Sequence, residues 1–185
     1  MESDINKHGC WLTVDDTHHM FDSKLCDSII DKFIDTSPST IDIGCGTGDY
    51  TKALNLSGIK CVGYDGNPNT KSISGDVCNV LDFAIPQDVG KFELVIALEV
   101  GEHIPEECES VFIDNLVNAS SKYVLVSWGL PNQPGFGHVN CKLNEYIIEE
   151  FNKRGFDYDK ETSTLLREES EFWWFKQTIL FFIKK

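Results

Sequence analysis

IDIGCGTGDY, residues 41–50, sends a run of apolar residues and one aspartate into a loop with glycine at every second position. Gly44, Gly46 and Gly48 enclose Cys45 and Thr47, and the loop closes on Asp49, a residue suited to the first turn of a helix. Glycine tolerates the dihedrals of a sharp strand-to-helix turn and leaves no side chain in the way, so the pattern predicts bare backbone amides facing a ligand. Something must come close to that backbone.

Two ligand classes that use such loops fit poorly. A P-loop needs Gly-Lys-Ser or Gly-Lys-Thr at its end, whereas Gly48 is followed by Asp49 and Tyr50. A dinucleotide fold spaces its glycines G-x-G-x-x-G, and here the third comes one residue early. Asp42, two residues before the first glycine, would face a cationic group rather than a pyrophosphate. A ligand with an amino or sulfonium group suits the loop better.

Working outward, apolar runs at residues 39–44, 60–65, 92–98 and 123–128 alternate with longer amphipathic or polar stretches. That order predicts strand-helix-strand units and a parallel sheet, and runs so continuously apolar predict strands covered on both faces. Behind Pro105, Phe112 with Leu116 and Ile113 with Val117 keep helical spacing, which predicts a crossover helix. Leu143, Ile147 and Phe151 share a face of a further helix that ends in Lys153, Arg154 and Gly155. Residues 20–35 predict a helix ahead of the first strand, and residues 178–183 a last strand. With 185 residues, no repeat and no linker, one domain is expected over 1–185.

A formal charge of −14 would repel nucleic acid and anionic membrane surfaces, so neither is expected as a partner. Neither a basic leader nor a membrane-length apolar run is present, and the expectation is a soluble cytoplasmic protein. Seven cysteines without a CxxC pair read as reduced thiols, mostly buried.

In four ordered motifs the chain resembles the class I S-adenosylmethionine-dependent methyltransferases. They are IDIGCGTGDY, the GYDGNP that ends the second apolar run, GDV at residues 75–77 and FELVIALEVGEHIP at residues 92–105. The resemblance implies a Rossmann-like α/β fold over residues 37–185 behind a helical segment over 1–36. Its doubly wound sheet would have seven strands, mostly parallel, with the last antiparallel. It implies S-adenosylmethionine as cofactor and S-adenosylhomocysteine as product. The backbone around Gly44, Cys45 and Gly46 would hold the methionine part, with Asp42 near its amino group. Asp65, followed by Gly66, would accept the ribose hydroxyls, Asp76 and Val77 would meet the adenine, and Glu99 would lie at the cofactor's edge with Glu102 and His103.

Methyl transfer is an in-line displacement, and holding nucleophile and methyl in line supplies most of the catalysis. A hydroxyl acceptor must also lose a proton, for which histidine is the usual base. His103 and His138 are the candidates, with Glu102 to orient an imidazole. The adjacent pair His18 and His19 is not expected to ligate a metal, and no metal site is expected elsewhere. Trp173 and Trp174 read as core aromatics ahead of the last strand.

The expected activity is therefore methyl transfer to oxygen or nitrogen of a small-molecule acceptor. A basic protein segment drawn by the negative charge stays open as acceptor, as does a protein that binds the cofactor without turnover. An NAD-dependent oxidoreductase is the weakest alternative.

Overall fold

Each apolar run of the sequence becomes a strand of one sheet in the computed structural model, which describes residues 5–13 and 19–185. The strands are β1 Thr40–Ile43, β2 Cys61–Asp65, β3 Cys78–Val80, β4 Phe92–Ala97, β5 Ser120–Val126, β6 Phe156–Tyr158 and β7 Leu180–Lys184. Their order across the sheet is β3-β2-β1-β4-β5-β7-β6, with β7 antiparallel to both of its neighbours. β3 and β6 escape a reading of apolar runs because each has three residues, Cys-Asn-Val and Phe-Asp-Tyr, too few to show a period.

The helices are α1 Ser23–Phe33, α2 Asp49–Ser57, α3 Thr70–Ser74, α4 Glu106–Ala119, α5 Asn144–Lys153, α6 Lys160–Glu169 and α7 Phe175–Thr178. Strand alternation divides the core between the two faces of the sheet. Val95 and Ala97 of β4 join Phe112 and Leu116 of α4 and Phe151 of α5 on one face. Leu94 and Ile96 join Leu25 and Ile29 of α1, Leu54 of α2 and Leu166 of α6 on the other. Among the described residues no helix is long and apolar enough to cross a membrane.

Asp22, fully buried, caps α1 and ties the two ends of the chain together. Its Oδ1 accepts the backbone N–H of Leu25 at 3.0 Å, and its Oδ2 accepts those of Glu171 at 2.8 Å and Phe172 at 3.1 Å. This fixes the aromatic segment 172–175 beside α1.

Candidate active site

β1 sits between β2 and β4, where the chain reverses its direction of travel across the sheet, and a doubly wound sheet leaves a crevice at the carboxyl ends of such strands. A cavity of about 440 Å³ occupies that place. Its size suits a small organic ligand.

The glycine loop forms one wall. Gly44 has φ +76° and Gly46 φ +52°, the left-handed region that disfavours side chains, and space forbids them too. A Cβ on Gly44 would lie 2.4 Å from Val100 Cγ2, and one on Gly46 2.5 Å from His19 Nδ1. The N–H groups of Gly44 and Cys45 donate to the Tyr64 carbonyl, at 2.7 and 3.1 Å, which pins the loop to β2.

At the end of β2, Asp65 Oδ2 accepts the Gly46 N–H at 3.0 Å and Oδ1 accepts the Asn67 N–H at 2.8 Å. Each oxygen keeps a further lone pair for a ligand donor. Asp42 also lines the cavity, with the Thr51 hydroxyl donating to its Oδ2 at 2.8 Å. Burial pushes its carboxyl up to about 6, and the Asp65 charge adds to the rise.

Asp76 and Val77 do not belong to this wall. They precede β3, in the turn that ends α3, so they lie at the amino end of that strand and both are exposed. The residues that follow β3, Leu81, Asp82 and Phe83, line the cavity instead. Asp82 Oδ1 accepts the Ala84 N–H at 2.8 Å and its Oδ2 lies 2.5 Å from His8 Nδ1. From the resemblance, residues 75–77 are expected on a loop leaving the carboxyl end of a strand, whereas they lie at the amino end of β3 and the residues after its carboxyl end line the cavity. Placing β3 at Cys78–Val80 would have pointed to Asp82.

His8 belongs to a segment, residues 5–13, that forms a roof. A bridge between Ile5 and Trp11 folds it back on itself. Trp11 packs edge-on against His19, His103 and Phe136 at centroid distances of 5.2, 5.2 and 5.9 Å. Cys10 lies against Gly66, whose Cβ would approach its sulfur to 2.1 Å, and burial raises this thiol to about 12, so it is an inert packing group. Trp173, read from sequence as core, is half exposed and lines the cavity with Trp174, whereas Phe175 is buried in the core. His18 lies outside the described residues.

The loops after β4 and β5 carry the polar cluster. Glu99 follows β4 with φ +52°, an uncommon conformation for a residue with a Cβ. Its N–H donates to Ser127 Oγ at 2.7 Å and its Oε2 accepts Gln133 Nε2 at 2.7 Å. Glu102 and His103 stand in the 3₁₀ turn Gly101–His103, and His138 arrives on the loop after β5. That loop is held by the Glu102 carbonyl, which accepts the N–H groups of Val139 and Asn140, both at 2.9 Å, and by Trp128 Nε1 donating to the Asn140 carbonyl at 2.6 Å.

The three residues expected from sequence to serve catalysis thus come together. His103 and His138 lie edge to face at 4.9 Å between centroids, and His138 Nε2 is 4.0 Å from Glu102 Oε1. Burial, with the Glu99 charge second, holds the Glu102 carboxyl well above the usual carboxylate range. Burial, with His138 second, lowers His103 to about 4, so its imidazole is neutral at physiological pH and a weak base.

Similarity to known proteins agrees with this arrangement. Residues 17–112, just over half of the chain, match the family described as "Methyltransferase domain". Tocopherol O-methyltransferase, chloroplastic, of Arabidopsis thaliana is 27% identical in a match of 104 residues that covers 48% of this chain and only 29% of that protein's length. The magnesium protoporphyrin IX methyltransferase of Synechocystis PCC 6803, solved with bound SAH, superposes with a TM-score of 0.66 at 20% identity over 86% of this chain and 82% of its own. N-methyltransferase NodS of Bradyrhizobium japonicum, solved with S-adenosyl-L-homocysteine, gives a TM-score of 0.64 at 14% identity over 88% and 86%. The chain belongs to the methyltransferase domain family, in its Rossmann-like, S-adenosylmethionine-dependent class I.

Proposed function

We propose that the chain transfers the methyl group of S-adenosylmethionine to an oxygen or nitrogen of a small-molecule acceptor. The observation that carries this reading is the cavity. It is lined by the glycine cradle, Asp42 and Asp65 and by His103 and His138, with Glu102 buried beside His138, under a roof of Trp11.

The residues fit the cofactor. Gly44 and Gly46 leave room where any side chain would clash, Asp65 has lone pairs for ribose hydroxyls, and buried Asp42 answers an ammonium group. For the adenine contact we assign Asp82, which lines the cavity, in place of Asp76, which does not. When bound, the cofactor supplies a methyl carbon whose bond to a positive sulfur breaks as the bond to the acceptor forms, leaving a neutral thioether.

The chain's part is positional. The glycine loop and Asp65 fix one reactant, and the aromatic walls and roof exclude water and give a flat or apolar acceptor its place. The polar cluster meets the acceptor's nucleophilic atom and governs the proton it sheds. Burial lowers His103 and raises Glu102, which disfavours charge at these two groups and suits a small neutral acceptor. The named relatives include an O- and an N-methyltransferase, so the names leave the acceptor atom undecided.

Incubation with methyl-labelled cofactor and three separate acceptor pools tests the reading: small metabolites, a lysine- and arginine-rich polypeptide, and RNA. Label in the small metabolites supports it. Label in the polypeptide alone would transfer the function to basic protein segments, which a charge of −14 would attract. Cofactor binding with no transfer to any pool would make the chain a binding protein.

A further inference from the structure

The polar cluster presents lone pairs and no proton donor of its own. His103 Nδ1 lies 3.2 Å from the Gly137 carbonyl, and His138 Nδ1 lies 3.2 Å from the Gln133 carbonyl. A carbonyl only accepts, so each Nδ1 carries the proton and each Nε2 is left with a bare lone pair. Glu102 is fully buried, and neither of its carboxylate oxygens has a hydrogen-bond donor among the described residues. One ligand atom from each of the three side chains falls within 4.8 Å of the others.

An unpartnered buried carboxylate is costly, and three Lewis bases converging on one point lack the electrophile that would join them. We propose that Glu102, His103 and His138 form a divalent-cation site, taking a first-row ion such as Mn²⁺, Co²⁺ or Zn²⁺, with Glu99 at its edge as a further oxygen donor. Two imidazoles and one carboxylate are the donor set such ions accept while keeping positions open for water or substrate. Histidines whose second nitrogen is anchored on a backbone carbonyl are oriented as metal ligands are. Bonds of roughly 2.0–2.2 Å require the three side chains to draw in by about 1 Å.

The site does not depend on the proposed methyl transfer, but its use does. A cation at this wall of the cavity would bind an acceptor hydroxyl and lower its pKa, so that the proton leaves to water and the oxygen meets the methyl carbon as an anion. That role removes the need for a histidine base.

The test titrates the chelator-treated chain with Mn²⁺, followed by the loss of the free-ion electron paramagnetic resonance signal, and with Co²⁺, followed by its visible absorption. S-adenosylhomocysteine binding is measured by calorimetry on the same samples. The proposal expects one equivalent of ion per chain, at least tenfold weaker uptake in both Glu102→Gln and His138→Ala, and S-adenosylhomocysteine affinity within twofold of wild type in both. Those affinities report that the variants are folded. Failure of the wild type to take up either ion while it binds S-adenosylhomocysteine would overturn the site, as would uptake unchanged in both variants. Ion uptake with the expected losses but no S-adenosylhomocysteine binding by the wild type would leave the site standing and remove the methyl-transfer reading.

Discussion

The carboxylate of Asp65 accepts the backbone N–H of Gly46 at 3.0 Å across the gap between the first and second strands. With the Asn67 N–H on its other oxygen, one side chain fixes the shape of the glycine loop and still holds lone pairs for a ligand. Asp65→Ala should therefore lose S-adenosylhomocysteine binding by more than about 100-fold, since it removes both the ligand's acceptor and the loop's anchor. Asp65→Asn keeps one acceptor oxygen and should fall between. Calorimetry decides, and near-normal affinity in the Ala variant would contradict the site.

Asp42 makes stability depend on pH. Its folded carboxyl titrates near 6 against roughly 4 in the unfolded chain, so between those values the folded state keeps a proton that the unfolded state has released. Stability from this group is present below pH 4 and is lost as pH rises to 6. Asp42→Asn, whose amide oxygen still accepts from Thr51, should flatten that fall by about 2–3 kcal/mol. Urea unfolding of both proteins without cofactor at pH 4 and pH 7 reads the difference. The same variant should bind the cofactor more weakly, because an amide does not answer an ammonium group.

Asp22→Ala strands three backbone donors, those of Leu25, Glu171 and Phe172, in a buried position. A loss of about 2–4 kcal/mol is expected in urea unfolding, larger than an ordinary exposed cap because two of the donors belong to a distant segment. A change below about 1 kcal/mol would mean that water replaces the carboxylate.

His103→Ala should leave S-adenosylhomocysteine affinity within about twofold of wild type, because His103 stands in the 3₁₀ turn after β4 and not in the glycine loop. Turnover on the acceptor should fall by about tenfold or more. Equal losses in both would place His103 in the cofactor's support instead.

The sheet was legible because its central strands are buried on both faces and written as continuous apolar runs, and α1, α4 and α5 because each keeps a helical stripe. The glycine loop, Asp42 and Asp65 were legible because adjacent strands present them on short spacings. That Asp82 and not Asp76 lines the cavity was not legible, since it depends on where a strand of three residues ends. The roof was hidden too: Trp11 reaches His103 and Phe136 over sequence separations that no local pattern encodes. The meeting of Glu102 with His138 was only half visible, as residue types on two loops at the same end of the sheet.

Thermal unfolding of the purified chain with S-adenosylmethionine, S-adenosylhomocysteine, NAD or ATP tests the central claim most directly, because a ligand that binds only the folded state raises the midpoint. The account predicts stabilisation by the two adenosyl-sulfur compounds and none by NAD or ATP, with the effect lost in Asp65→Ala. Stabilisation by NAD, or by none of the four at concentrations well above ordinary affinities, would contradict it.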